Sequence, residues 1–404
     1  MIKQKGRRGD KTSITRICAG AFAIRLIVLS LVVFFSDNLT TGFLSSDIVN
    51  DDVRYQVGAE IYASRAKSII DANAIGNAYL EIGDWSVYGG GEFKLWYWIV
   101  AVFTYIFHSH VGVRILNIIF AVISVKCIYN ISKKLGGEKI AKVASALYAF
   151  MPYPVFFSCF LYKDQFYTLL ILLIFRIILL KGVKLSLWDI VKVVLLILVS
   201  TFIRSGLSVL IAAIAAYLYV HEKGIRLSKV QIWLMFALLA LGVVAFINIS
   251  LNSIDYKYAA YVLDYKAASE GTVSMLNIKS IDQIYKFPFA LFFMMLLPVA
   301  TPSAMGSWLG VVGWLNIVAM PIALGSFFYL FYKPLEKSRF FWCIQSLYLV
   351  TIVTSLGIFR HSYYLQPYMM MFFASFYLSI KSKSLFAGVS AILTVFYTMV
   401  LFFR

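Results

Sequence analysis

The sequence predicts an all-α protein, a polytopic transmembrane bundle of about eleven spanning helices with amphipathic helices in its first outside loop. Three observations predict it. Of the 404 residues, 61% are hydrophobic and only 14% charged, with a mean hydropathy of +0.82. A soluble domain carries about 25% charged residues, so this chain needs lipid as solvent. Apolar runs recur along it, each near the roughly 20 residues that cross a bilayer. The basic residues, which give a net charge of +18, sit in short clusters between those runs. That is the pattern of cytoplasmic loops and not of a nucleic-acid surface.

Each element follows from the rule that basic clusters stay inside. The first apolar run, 17–35, follows Lys3, Lys5, Arg7, Arg8 and Lys11 and lacks a small-residue cleavage site, so it reads as a retained helix that exits. A long outside loop covers 37–110. Helix two, 111–131, enters above Lys133, Lys134 and Lys139. Helix three, 140–160, exits, and helix four, 165–180, enters above Lys181 and Lys184. Helices five (187–203) and six (205–220) lead back inside to Lys223, Arg226 and Lys229. Helix seven, 230–251, exits to a second outside loop, 251–307. Helix eight (308–332) enters above Lys333, Lys337 and Arg339; helices nine (340–359), ten (363–380) and eleven (385–403) complete the bundle. The apolar piece 96–107 is too short to span, and 287–300 is flanked and broken by Pro298 and Pro302, so both read as interfacial or re-entrant. No internal repeat, low-complexity tract or polar linker divides the chain, which reads as one transmembrane domain over 1–404. The chain is expected in the plasma membrane, the inner membrane of a bacterium; the basic clusters make it multi-pass with its N-terminus cytoplasmic. Cys18, Cys127, Cys159 and Cys343 lie in or beside apolar runs without a CxxC spacing and read as packing thiols.

The first outside loop concentrates acid. Nine of the chain's 19 acidic residues fall between Asp37 and Glu92: Asp37, Asp47, Asp51, Asp52, Glu60, Asp71, Glu81, Asp84 and Glu92. Asp51 and Asp52 open DDVRYQVGAEIYASRAKSII, whose apolar spacing predicts a helix lying on the membrane surface. An acid pair at a helix N-terminus suits the helix dipole. It also suits a general base, since a hydroxyl attacks well only when a positioned group takes its proton. Two adjacent carboxylates repel, which raises one pKa toward a useful range.

DDVRYQVGA resembles the first-loop motif of the GT-C superfamily of integral-membrane glycosyltransferases, which includes protein O-mannosyltransferases and the aminoarabinose transferases of lipid A. In that motif an Asp is followed by Glu or Asp, then by Tyr and Ala; Asp51, Asp52, Tyr55 and Ala59 occupy those places. HVGVRILNIIFAVISVKCIYNISKKLGG is similar to the family's second helix, with Arg114 near its start. KIAKVASALYAFMPYPVFFSCFLYKDQFYTLLIL resembles the next unit, where a proline-containing helix delivers a second acid, here Asp164. FRHSYYLQPYMMMFFA is similar to the basic-Tyr-x-x-Pro stretch and contributes Tyr363. The resemblance covers 15–180, a catalytic module that includes the outside loop, and 355–380; over the rest of 181–404 only hydropathy is shared. Asp52 stands where Glu is commoner, no proline opens the segment at Trp96, and the large soluble domain of some branches is missing.

Charges that break the topology rule point the same way. Lys163, Arg204 and Arg360 fall at outside ends of apolar helices, with His361 beside Arg360. Ionisable groups at that depth are costly and mark function. The plainer readings are a Lys163–Asp164 pair, an Arg204 that snorkels to the interface and an interfacial anchor at Arg360. A polyprenyl-phosphate-linked sugar explains all of them together: the cations hold its phosphate and stabilise the charge that grows as the glycosidic bond breaks.

The resemblance thus implies a glycosyltransferase acting on the outer face, with a glycan or lipid acceptor of the cell envelope. Asp51 would be the base, with Asp52 or Asp164 orienting the acceptor or tuning it. Lys163, Arg204, Arg360 and His361 would hold the donor phosphate; Tyr55, Arg114 and Tyr363 would bind substrate. Attack opposite the phosphate would invert the anomeric centre. No cofactor is identified. A divalent metal stays open, although His108, His110 and His361 have no second close ligand and read as packing or hydrogen-bonding groups. The aromatics Trp85, Tyr88, Trp96, Tyr97 and Trp98 fit an interfacial belt. Two other functions fit the outer face: a polymerase of surface-polysaccharide repeat units, and a transporter or flippase of lipid-linked sugars. A transporter places ionisable groups at the bilayer midplane. The helix middles here are expected to be nearly free of charge, with Arg176 near an inner end.

Overall fold

The computed structural model describes residues 2–34, 47–81, 95–224, 319–332, 339–355 and 363–402. Among them all regular structure is helical. The N-terminal part runs α1 (Ile2–Phe34), α2 (Asp47–Arg65), α3 (Ala72–Glu81), α4 (Leu95–Phe107) and α5 (Val111–Gly136). It continues with α6 (Glu138–Phe150), α7 (Pro152–Phe157) and α8 (Asp164–Lys181), then a 3-10 turn at Gly182–Lys184. Next come α9 (Leu187–Thr201) and α10 (Ser205–Glu222). The C-terminal part holds α11 (Ala319–Tyr332), α12 (Arg339–Ser355), α13 (Gln366–Ser379) and α14 (Lys383–Phe402). Helix seven, the whole second outside loop with its piece 287–300, and residues 308–318 of helix eight lie outside the described residues.

Among the described residues, three stretches are long and apolar enough to cross a membrane: Ser13–Phe34, Val111–Gly136 and Asp164–Lys184, with hydropathies of 2.5, 2.1 and 2.2. Shorter apolar helices include Leu95–Phe107, Leu207–Glu222, Ala319–Tyr329 and Lys383–Val395. Exposed apolar side chains such as Leu187, Trp188, Leu195 and Leu198 on α9, and Leu385, Ile392 and Met399 on α14, suit lipid contact. Two sequence expectations are corrected. The predicted helix 140–160 is two helices: it stops at Phe150, Met151 is extended, and Pro152 starts α7. Proline has no N–H to continue the ladder, and it disfavours helical backbone in the residue before it. The acid pair does not open its helix, because α2 begins a turn earlier at Asp47.

The chain divides into two compact units. The first comprises Met1–Val49, Arg114–Leu169 and Glu270–Arg404. In it α1 packs on α6 and α7, α13 packs on α6 and on α11, and α11 also meets α14. Gly325 lets α11 approach α13 closely, since a side chain there would run into Phe373. Beside it Ser326 donates to the Met369 carbonyl at 2.6 Å. Phe341 of α12 packs on Tyr329 of α11 and Phe372 of α13, with ring centroids 5.2 and 4.5 Å away.

The second unit comprises Asn50–Val113 and Leu170–Ser269. In it α2 lies on α4 through two aromatic rungs, Tyr55 on Tyr97 at 4.9 Å and Tyr62 on Tyr105 at 6.1 Å. Tyr62 follows Tyr55 by two helical turns, so both rings leave the same face. The hairpin of α9 and α10 is pinned at one end by a capping box between Ser186 and Asp189. At the other end the Ser200 hydroxyl donates to that of Ser208 at 3.0 Å.

Candidate functional site

In the first unit, residues 158–163 join α7 to α8 without regular structure, so their carbonyls fall outside a helical ladder, save that of Lys163, which accepts from the Tyr167 amide at 2.9 Å. Side chains of α5 supply the missing donors. Arg114 and Asn117 lie one turn apart on one helix face. Arg114 Nη1 donates to the Cys159 carbonyl at 3.1 Å. Asn117 Nδ2 donates to the carbonyls of Phe160 at 2.6 Å and Tyr162 at 3.1 Å. The rings of Tyr153, Phe156, Phe157, Phe160, Tyr162 and Tyr363 pack together around this turn, with Val28 and Val32 of α1 against them. The turn delivers Lys163, partly exposed, and Asp164, the first residue of α8, which is 3% exposed. A carboxylate there suits the positive end of the helix dipole.

The next residue, Gln165, ties this corner to two tyrosines. Its Oε1 accepts from Tyr363 OH at 2.7 Å and Tyr148 OH at 3.1 Å, and its Nε2 donates to Ser124 Oγ at 3.3 Å. Tyr363, more than 190 residues on in sequence, is thereby brought to the first turn of α8. Both Tyr363 and Arg114 are buried, at 1% and 3% exposure, and both serve protein partners.

Arg25 is the residue that sequence reasoning missed. It sits within the first apolar run, is fully buried, and contacts Ser158 through Nε at 3.0 Å. Its Nη1 donates to Ala149 O at 2.7 Å and Ala21 O at 3.0 Å, and its Nη2 to Tyr148 O at 3.2 Å. The expectation that helix middles carry almost no charge is therefore wrong for α1. A lone arginine between apolar residues 17 and 35 was the available signal.

In the second unit, Asp52, Tyr55, Ala59 and Tyr62 share one buried face of α2, with Asp52 at 6% exposure. Asp51 is on the same helix, but its side chain lies outside the described residues, as do Arg360 and His361. Glu60 approaches His110 Nδ1 at 3.5 Å. Arg204 is half-buried at the N-cap of α10, with extended backbone, and its carbonyl accepts from Ser208 Oγ at 2.7 Å. Among the described residues no three His, Cys, Asp or Glu side chains gather as a metal site.

Residues 95–248 match the family model described as dolichyl-phosphate-mannose-protein mannosyltransferase. The GT-C resemblance is thereby shown. The matched segment contains Arg114, Asn117, Lys163, Asp164 and Arg204, and begins after Asp51 and Asp52. Among solved structures, the chain is similar to the archaeal oligosaccharyltransferase AglB from Archaeoglobus fulgidus, determined with an inhibitory peptide and a dolichol-phosphate. The TM-score is 0.42 at 11% identity, and the alignment covers 93% of this chain. It covers 55% of that one, so the chain spans about half the length of this relative. No curated protein matches the chain.

Proposed function

We propose that this chain is a GT-C-type glycosyltransferase that moves a sugar from a polyprenyl-phosphate carrier to a hydroxyl of a cell-envelope glycan or lipid on the outer face of the membrane. The observation that carries the reading is the family match over 95–248, a segment that includes the built turn presenting Lys163 and Asp164. In the reaction the acceptor oxygen attacks the anomeric carbon as the carbon–oxygen bond to phosphate breaks. The acceptor proton passes to a carboxylate, assigned to Asp51, and the bonding pair leaves with the lipid phosphate. Displacement from the face opposite the phosphate inverts the sugar. Asp52 or Asp164 orients the acceptor or tunes the base. Cations suit the leaving phosphate because they stabilise charge that grows only in the transition state; Lys163, Arg204, Arg360 and His361 take that role. Tyr55 stays with substrate. The internal hydrogen bonds of Arg114 and Tyr363 support a holding role for those two instead.

The experiment is transfer by the purified full chain in detergent, using polyprenyl-phosphate-linked sugars, paired with mass spectrometry of envelope glycans with and without the protein. Transfer in detergent and the loss of one sugar from the glycan profile are expected. Unchanged glycans together with no transfer would end the reading. Accumulated single repeat units would point to the polymerase.

A further inference from the structure

A proline break inside a membrane helix leaves carbonyls without donors, and in hydrocarbon no water replaces them. The break between α6 and α7 falls at such a depth. α6 begins beside Lys139 and Lys142 and has 13 residues, a rise of about 20 Å in a core of about 30 Å. The Tyr148 carbonyl loses its helical donor because residue 152 is proline. The Ala149 carbonyl loses its own because the chain turns at the extended Met151.

Arg25 supplies both. Its Nη2 donates to Tyr148 O at 3.2 Å and its Nη1 to Ala149 O at 2.7 Å. Counted from the start of the Ser13–Phe34 span, Arg25 lies about 18 Å along α1, a depth that matches the end of α6. Its guanidinium also faces the carbonyl end of α6, where a cation is favoured. The planar fork reaches further, with Nε donating to Ser158 Oγ at 3.0 Å. The Cys159 thiol in turn donates to the Arg25 carbonyl at 3.4 Å. Ser158 and Cys159 start the turn that Arg114 and Asn117 hold from the other side and that ends at Lys163 and Asp164.

We infer that Arg25 is a positioning residue of the transferase: it completes the proline break between α6 and α7 and thereby sets the turn that carries Lys163 and Asp164. The inference rests on the glycosyltransferase reading for its effect on rate, and on the hydrogen bonds alone for its effect on the turn. An apolar side chain at 25 would leave the two carbonyls without this donor and would remove the side-chain link from α1 to the Ser158 hydroxyl, leaving only the Cys159 thiol on the carbonyl of residue 25. Lysine would keep the charge but lacks the fork that reaches Ala149, Tyr148 and Ser158 together.

The test uses the full chain in detergent with Arg25→Met, Arg25→Lys, and Arg25→Met combined with Pro152→Ala, which returns an amide to Tyr148 O. Maleimide labelling of Cys159, read against buried Cys343, is expected to rise about tenfold in Arg25→Met as the turn opens. Per folded molecule, kcat is expected to fall about 100-fold with donor KM little changed, as for a misplaced catalytic group. Arg25→Lys, the variant to use where the methionine form fails to fold, is expected to show the same kcat loss to a smaller degree. The double variant is expected to regain melting temperature but not kcat, because alanine at 152 mends the helix and not the tether to Ser158. Protection of Cys159 in Arg25→Met, wild-type kcat in Arg25→Lys, or recovery of kcat with stability in the double variant would each overturn the inference. Labelling needs no activity. Wild-type protein that transfers nothing would remove the glycosyltransferase reading, while labelling still decides the turn.

Discussion

Asp52 and Asp164 are both buried carboxylates in segments that resemble glycosyltransferase motifs, yet they are held by opposite means. Asp52 rides on a regular helix whose contact with α4 includes two tyrosine pairs. Asp164 ends an irregular turn whose carbonyls are taken by an arginine and an asparagine on a long helix. The first kind of mount is apolar, non-directional and tolerant of small shifts. The second is directional and fails when one donor is removed, because a buried carbonyl is left unmet. The helix that bears Asp52 is thus seated by ring packing, and the turn that ends at Asp164 by a few named hydrogen bonds.

Substitution of Asp51, the neighbour of Asp52 assigned as base, should cost the most. Asp51→Asn keeps shape and removes the proton acceptor, so transfer is expected to fall by about 10²–10⁴-fold with folding unchanged. A single-turnover assay on protein that elutes as the wild type does checks it, and near-normal transfer would move the base elsewhere. Next in size is Asn117→Ala, which strips donors from the Phe160 and Tyr162 carbonyls. The expected cost is about 1–3 kcal/mol of stability, read as a lower melting temperature in detergent. An unchanged melting temperature would mean the turn stands without α5. Smaller still is the Tyr55–Tyr97 pair. A double-mutant cycle through Tyr55→Leu and Tyr97→Leu is expected to return a coupling of about 0.5–1.5 kcal/mol. Zero coupling would show that α2 is held by something other than its aromatic rungs.

Much of the helical framework was legible because apolar length and basic flanks are local signals. Helix 165–180 was expected and α8 runs Asp164–Lys181; helix 187–203 was expected and α9 runs Leu187–Thr201. The break at Met151 was written in Pro152 and Pro154, but length alone read through it, since the two pieces add up to one span. Asp164 was reached through the family resemblance, one residue before the expected helix, and it is the first residue of α8. What holds it was not legible. Cys159, Phe160 and Tyr162 accept through backbone carbonyls, which have no sequence identity, from donors more than 40 residues away. The same reason hid Arg25, whose partners are almost all carbonyls.

The smallest expected effect is a pH dependence confined to the acidic loop, and it sharpens the contrast because it concerns only the unit that carries Asp52. Asp71 caps α3: its Oδ1 accepts from the Ala74 amide at 3.0 Å and its Oδ2 from the Lys67 amide at 3.2 Å. Those amides, Ala74 first, hold its pKa below the ordinary carboxylate value. Tyr62 connects the cap to the aromatic rungs, donating to Ile69 O at 2.8 Å while its oxygen accepts from the Asp71 amide at 3.1 Å. A carboxyl with a lowered folded pKa adds stability that is present above its unfolded pKa and is lost as pH falls through the folded value. Protection of the first α3 amides from hydrogen exchange, relative to unstructured reference amides, should therefore decline below the usual carboxylate range. Asp71→Asn can still cap but cannot titrate there, so its protection should be flat across the same window. An identical acid decline in both proteins would place the titrating group elsewhere. The Asn117-held turn needs no carboxylate to satisfy its carbonyls, so the amides of 158–163 should show no such decline in either protein.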